Sequence, residues 1–183
     1  MKNPYDWSQA RNIDDYGIGD VITANNLMEK GYTYTLSKEI GDLSDYPEFT
    51  PRFTPQEMLN MGIFEGKYCN DCASEFPIEW FVDGKMSTEA DVKLNYFGVK
   101  NRTSLADWMN KQMVLEPDNR GWFQWYCRFW LGRRIPEVDI IQINRWKEVK
   151  VYQDIVKEFC PNNMEYCKKE RQLLLQWSYD CFV

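Results

Sequence analysis

The run RGWFQWYCRFWLGRR, residues 120–134, limits what this chain can fold into more than any other stretch. At helical spacing, Trp122, Trp125, Tyr126 and Phe129 share one face, and Phe123, Cys127 and Trp130 share another. A helix apolar this far round belongs inside a core. It is expected from about Asn119 to Leu131. Its one polar line is Arg120, Gln124 and Arg128, at steps of four. Gly132 ends it, and Arg133 and Arg134 suit the negative end of its dipole.

A second helix is expected from Pro136 to about Cys160, where Pro161 stops it. At 100° per residue, Val138, Ile141, Val149, Tyr152, Val156 and Phe159 fall within about 80° of arc, with Arg145 in the middle. A guanidinium at the centre of an apolar face cannot shed its charge, so its burial demands a carboxylate or a bound anion. A last helix follows from Met164 to about Tyr179, capped by Asn163, with Tyr166, Leu173 and Trp177 turned inward.

The N-terminal third reads differently. Residues 1–19 are polar and turn-rich, an extended arm. Asp20 heads a short helix to Lys30, ended by Gly31. Tyr32, Tyr34 and Leu36 alternate as in a strand, which needs a partner such as the other half of a small hairpin. A linker with Pro47, Pro51 and Pro55 leads to Thr54-Pro55-Gln56-Glu57, a capping box that starts a helix stopping near Gly62. Phe64, Tyr68, Phe76, Trp80 and Phe81 anchor the next, irregular stretch. Further helices are expected after Ser87, ending before Gly98, and from Ser104 to about Met113.

The expected fold is therefore mainly α: one globular helical domain, an irregular proline-punctuated N-terminal third, and at most a minor hairpin. Residues 1–53 form an arm and linker packed on a helical core domain of residues 54–183. No apolar run is long enough for a membrane span, and the N-terminus lacks the apolar stretch of a signal peptide, so a soluble cytoplasmic protein is expected. The six cysteines are then expected to be thiols.

Three pieces together, TPQEMLNMGIFEGKYCNDCASEFPIEWF, RGWFQWYCRFWLGRR, and INRWK with ERQLLLQWSYD downstream, resemble an uncharacterised family of small proteins of bacterial and phage genomes and some fungi. The resemblance covers roughly residues 50–183. It implies a single shared fold and carries over no activity, cofactor or site residue.

Charge and residue type narrow the chemistry. The chain has no histidine, which removes Ser-His and Cys-His nucleophile pairs and histidine metal ligands. Its net charge of −6 opposes non-specific grip on nucleic acid, although residues 120–183 carry 11 basic against 8 acidic side chains. Cys69 and Cys72 have zinc-knuckle spacing, with Cys160 and Cys167 as a loose second half; buried thiols are the plainer reading, and no metal is expected.

Arg120, Gln124, Arg128, Arg133, Arg134, Arg145 and Trp146 interleave cations with aromatics, which suits a phosphate and a stacked base; it also suits a core helix with a polar stripe. Asp71, Glu75 and Glu79, spaced by four, are the acidic candidates, either as partners of Arg128 or Arg145 or as a carboxylate set for hydrolysis. The reading that follows is a binding module with an arginine and aromatic pocket for a nucleotide or nucleic acid. The alternatives are a phage or bacterial factor that binds a partner protein, and a carboxylate-based hydrolase.

Overall fold

The computed structural model describes residues 7–101 and 114–183. The segment after Asp20 is a strand, not a helix. Strand β1 (Val21–Asn25) buries Ile22 and Ala24 and exposes the residues between them, a period of two. It pairs antiparallel with β2 (Lys30–Thr35), Ile22 opposite Tyr34 and Ala24 opposite Tyr32. Gly31, at φ 76°, falls where the register slips between Ala24 and Asn25. What reads as a helix stop is a bulge in a hairpin. At the tip, Asn26 Oδ1 accepts from the backbone N–H groups of Met28 and Glu29, both at 2.9 Å.

Helix α1 (Pro55–Met61) carries the expected box: Thr54 Oγ1 accepts from Glu57 N at 3.1 Å and Glu57 accepts from Thr54 N at 2.8 Å. After Gly62 the chain is irregular, broken by the single turn α2 (Glu79–Val82). The helix expected after Ser87 is a short 3-10 turn, Val92–Leu94. Its neighbours spend their hydrogen bonds elsewhere: Ser87, Asp91 and Tyr96 donate to Gly66, Glu65 and Gly62, at 2.9–3.0 Å. The helix expected from Ser104 to Met113 lies outside the described residues.

Helix α3 (Trp122–Leu131) is buried at every position but Trp130, as its composition demands. It starts three residues later than expected, because Gly121 sits at φ 87°. Phe49 lies at its side, edge-on to Trp122, Tyr126, Phe129 and Trp146 at centroid distances of 5.0–6.5 Å. The N-terminal third thus supplies Ile22, Tyr34, Leu36, Phe49 and Phe53 to the same cluster as α3.

The expected second helix is two: α4 (Pro136–Glu148) and α5 (Lys150–Phe159), parted at Val149. The break changes the phase. Helix α4 buries Asp139, Gln142, Ile143 and Trp146, while Ile140 and Ile141 are exposed. In α5 only Val156 is buried; Tyr152 and Phe159, expected inside, are exposed. Helix α6 (Lys168–Gln176) starts later than expected and buries Arg171, Gln172, Leu174 and Leu175. Tyr166, expected inward, is exposed. Cys160 and Cys167, expected as thiols, are joined by a disulfide across the turn between α5 and α6. No helix among the described residues is long and apolar enough to cross a membrane.

Candidate functional site

The polar line before and along α3 faces the β1–β2 hairpin and the loop of residues 69–76. Its deepest member is Arg128, with no exposed surface. Arg128 Nε donates to Glu75 Oε1 at 2.6 Å, and NH2 reaches Glu75 Oε2 at 3.2 Å and Glu29 Oε2 at 2.6 Å. NH1 donates to Asp118 Oδ1 at 3.0 Å and to the Pro117 carbonyl at 3.1 Å. Arg133, also buried, takes the other Asp118 oxygen at 2.6 Å. Tyr34 donates to Glu75 at 2.9 Å, and Gln124 Nε2 to Glu29 at 3.1 Å. Burial opposes the charge on Arg128, yet the Glu75 carboxylate and the other acceptors hold it more firmly protonated than a free guanidinium.

Arg128 is therefore closed by carboxylates at every nitrogen, and Arg133 is buried and paired with Asp118, although its Nε–H has no partner among the described residues. This corrects the expectation of a ligand pocket around Arg128. Glu75 neutralises Arg128, one of the two arginines expected to take an acidic partner, and Asp71 pairs with Arg120. Glu79 goes elsewhere and accepts from Ile13 N at 3.0 Å. Asp71, Glu75 and Glu79 do not form a helical row: the loop turns at Cys69–Cys72, and Glu79 opens α2. Each has a different partner, which is a poor arrangement for paired acid–base work.

The other candidates scatter. Arg134 donates to Phe129 O at 2.8 Å, Arg133 O at 2.9 Å, Asp45 at 3.2 Å and the Asp42 carbonyl, so it caps α3 and ties down the linker. Arg145 is half-buried, with NH1 directed to Gln142 Oε1 at 3.4 Å. It does not lie at the centre of an apolar face: α4 buries Asp139, Gln142, Ile143 and Trp146, and Ile141 is exposed. Trp146 is buried, stacked on Tyr179 at 4.7 Å. It lines a second hollow of about 630 Å3 with Arg52, Lys150 and Asp180.

Arg120 is the member of the line that meets open space. Its side chain is 13% exposed. NH2 donates to Asp71 at 2.7 Å and to Asn26 Oδ1 at 3.2 Å, while its Nε has no hydrogen-bond partner among the described residues. It forms part of the wall of a cleft of about 770 Å3, between the hairpin tip and the 67–74 loop, together with Met28, Lys67, Tyr68, Cys69 and Asp71. Burial works against the Arg120 charge, but the sulfurs of Cys69 and Cys72 and the Asp71 carboxylate strengthen it. Partial burial pushes the Asp71 carboxyl up, and the hydrogen bonds from Arg120 and Leu27 N outweigh this and hold it below the usual carboxylate range.

Glu29, Asp118 and Lys67 escaped the sequence reading. Glu29 and Arg128 are 99 residues apart, and no local pattern links them. Asp118 reads only as a turn residue at the helix entrance. Lys67 carries one signal, its place directly after the αL glycine Gly66 in a loop rich in aromatics. No family model, curated protein or solved structure matches this chain, so its function has to be argued from the cleft itself.

Proposed function

We propose that the chain is a small binding module and that its ligand is an anion of nucleotide size, seated in the cleft beside Arg120 and Lys67. One observation carries the reading: Arg120, whose buried Nε–H has no acceptor among the described residues, lines the cleft with a side chain 13% exposed, while Arg128 has an acceptor at every guanidinium nitrogen. A guanidinium so placed offers charge-assisted hydrogen bonds to a phosphate or carboxylate. Lys67, exposed and paired with the exposed Glu89 at 3.5 Å, adds a second cation, and the apolar ledge of Leu27 and Met28 gives the rest of a ligand something to lie against. The volume is that of a small-molecule site. The chain's acidity favours a nucleotide or a single-stranded end over a long duplex.

The test is a thermal-shift screen with nucleotides, phosphorylated metabolites, inorganic phosphate and short oligonucleotides. A ligand at a hundred times its dissociation constant adds about 2.7 kcal/mol of stability. An anion that raises Tm in the native protein and loses most of that effect in Arg120→Gln supports the reading. No shift with any anion removes it.

A second reading, a protein-binding factor, has one observation in its favour. Ile140, Ile141, Val151, Tyr152 and Phe159 all stand exposed on α4 and α5, Phe159 at 69%. An apolar surface of this kind suits a partner. Phe159→Lys in a pull-down or a sedimentation experiment separates it from the first reading, because the substitution leaves the cleft untouched.

A further inference from the structure

Cys69 and Cys72 stand three residues apart in a tight turn, closed by a hydrogen bond from Cys72 N to Cys69 O at 2.9 Å. Cys69 holds the turn in the left-handed region, at φ 54°. Both side chains are buried, but Cys69 lies in the wall of the cleft. The neighbouring Cys69 sulfur and burial push the Cys72 thiol up, and Cys69 is the one of the two in the cleft wall. Arg120 lines the same cleft as Cys69; burial works against its charge, and the sulfurs of Cys69 and Cys72 and the Asp71 carboxylate strengthen it. The unused thiols elsewhere lack this setting: burial pushes the Cys127 and Cys181 thiols up, and neither lines the cleft.

We infer that Cys69 and Cys72 form a redox-active dithiol, oxidised by a low-molecular-weight disulfide that enters the cleft. The attacking sulfur is Cys69, the one of the pair that lines the cleft together with the Arg120 cation. It displaces one thiolate from the incoming disulfide and forms a mixed disulfide. The Cys72 sulfur then attacks Cys69, releases the second thiolate and closes the Cys69–Cys72 bond. The two cysteine protons end on the two thiols released, and the two electrons lost by the cysteines reduce the incoming disulfide. The dithiol shares the cleft and Arg120 with the anion reading but does not rest on it: either can fail while the other holds.

The experiment equilibrates the fully reduced full-length chain with glutathione and glutathione disulfide, traps free thiols with iodoacetamide and maps the cysteines by mass spectrometry. Circular dichroism monitors the fold. The inference expects Cys69 and Cys72 to lose alkylation together while the fold stays native, and the Cys127→Ser variant to behave alike. In Cys72→Ser, which cannot close the ring, Cys69 should accumulate the glutathione mixed disulfide. In Arg120→Gln, Cys69 should alkylate about three- to tenfold more slowly. Either of two results overturns the inference: both thiols stay fully alkylatable in the folded protein at every ratio, or Cys72 pairs with Cys127 instead.

Discussion

Arg128 grips Glu75 through two parallel hydrogen bonds, Nε to Oε1 at 2.6 Å and NH2 to Oε2 at 3.2 Å, with neither residue more than 1% exposed. The pair joins the loop before α2 to the middle of α3, and through Glu29 and Asp118 it also fastens the hairpin and the turn before α3. Removing the cation leaves three buried carboxylates short of a partner. Arg128→Leu should cost about 3–5 kcal/mol in urea unfolding, more than Glu75→Gln, which keeps the shape and removes one charge. Equal and small losses in both variants would mean that the network is solvated.

The aromatic core predicts its own weak point. Phe49 is edge-on to four rings and comes from the proline-rich linker, not from a helix. Phe49→Ala should lose about 3–5 kcal/mol and alter the near-ultraviolet circular dichroism of Trp122, Trp125 and Trp146. A loss under about 1 kcal/mol would place Phe49 outside the core.

Gly132 closes α3 at φ 122°, and a Cβ there would stand 2.1 Å from the Lys38 carbonyl oxygen. The same carbonyl end is held by Ser37 N and Lys38 N, which donate to Gly132 O at 3.0 and 3.2 Å. Gly132→Ala should destabilise by at least about 1–3 kcal/mol, whereas Gly17→Ala, with open space around it, should be near neutral. Thermal unfolding of the two variants side by side decides it.

Asp71 gives a pH signature. Its folded pKa lies below its unfolded value of about 3.9, so its contribution is complete above that value and fades as pH falls through the folded pKa. The native protein should exceed Asp71→Asn in stability by up to about 1 kcal/mol near neutral pH, since the pair is partly screened by solvent. The difference should shrink towards strong acid. A difference that grows on acidification would reverse the sign of the Asp71–Arg120 interaction.

Local chemistry was readable in advance where it is self-contained. The Thr54 box, the glycine stop at Gly132 and the buried aromatic helix all rest on neighbouring residues, and all stand as expected. That one of Asp71, Glu75 and Glu79 pairs with Arg128 or Arg145 follows from a general demand, that a buried guanidinium needs a carboxylate; the choice of Glu75 and Arg128 does not. Failures came where long-range contacts outvote local preference. Residues 87–96 donate to residues 62–66 and so lose their helix. The hairpin hides behind Gly31, which serves equally well as a bulge or a helix stop. A single continuous helix from Pro136 puts Arg145 among apolar residues, but the helix is parted at Val149, and Arg120 is the arginine that lines the cleft. No spacing rule points to Glu29 as the third carboxylate on Arg128.

The most direct measurement is calorimetric titration of the strongest anionic ligand into three proteins: native, Arg120→Gln and Arg145→Gln. Loss of a charge-assisted hydrogen bond should weaken binding about ten- to a hundredfold in Arg120→Gln. Arg145→Gln should bind as the native protein does. Native-like affinity in Arg120→Gln, or a loss confined to Arg145→Gln, would contradict the placement of the ligand in this cleft.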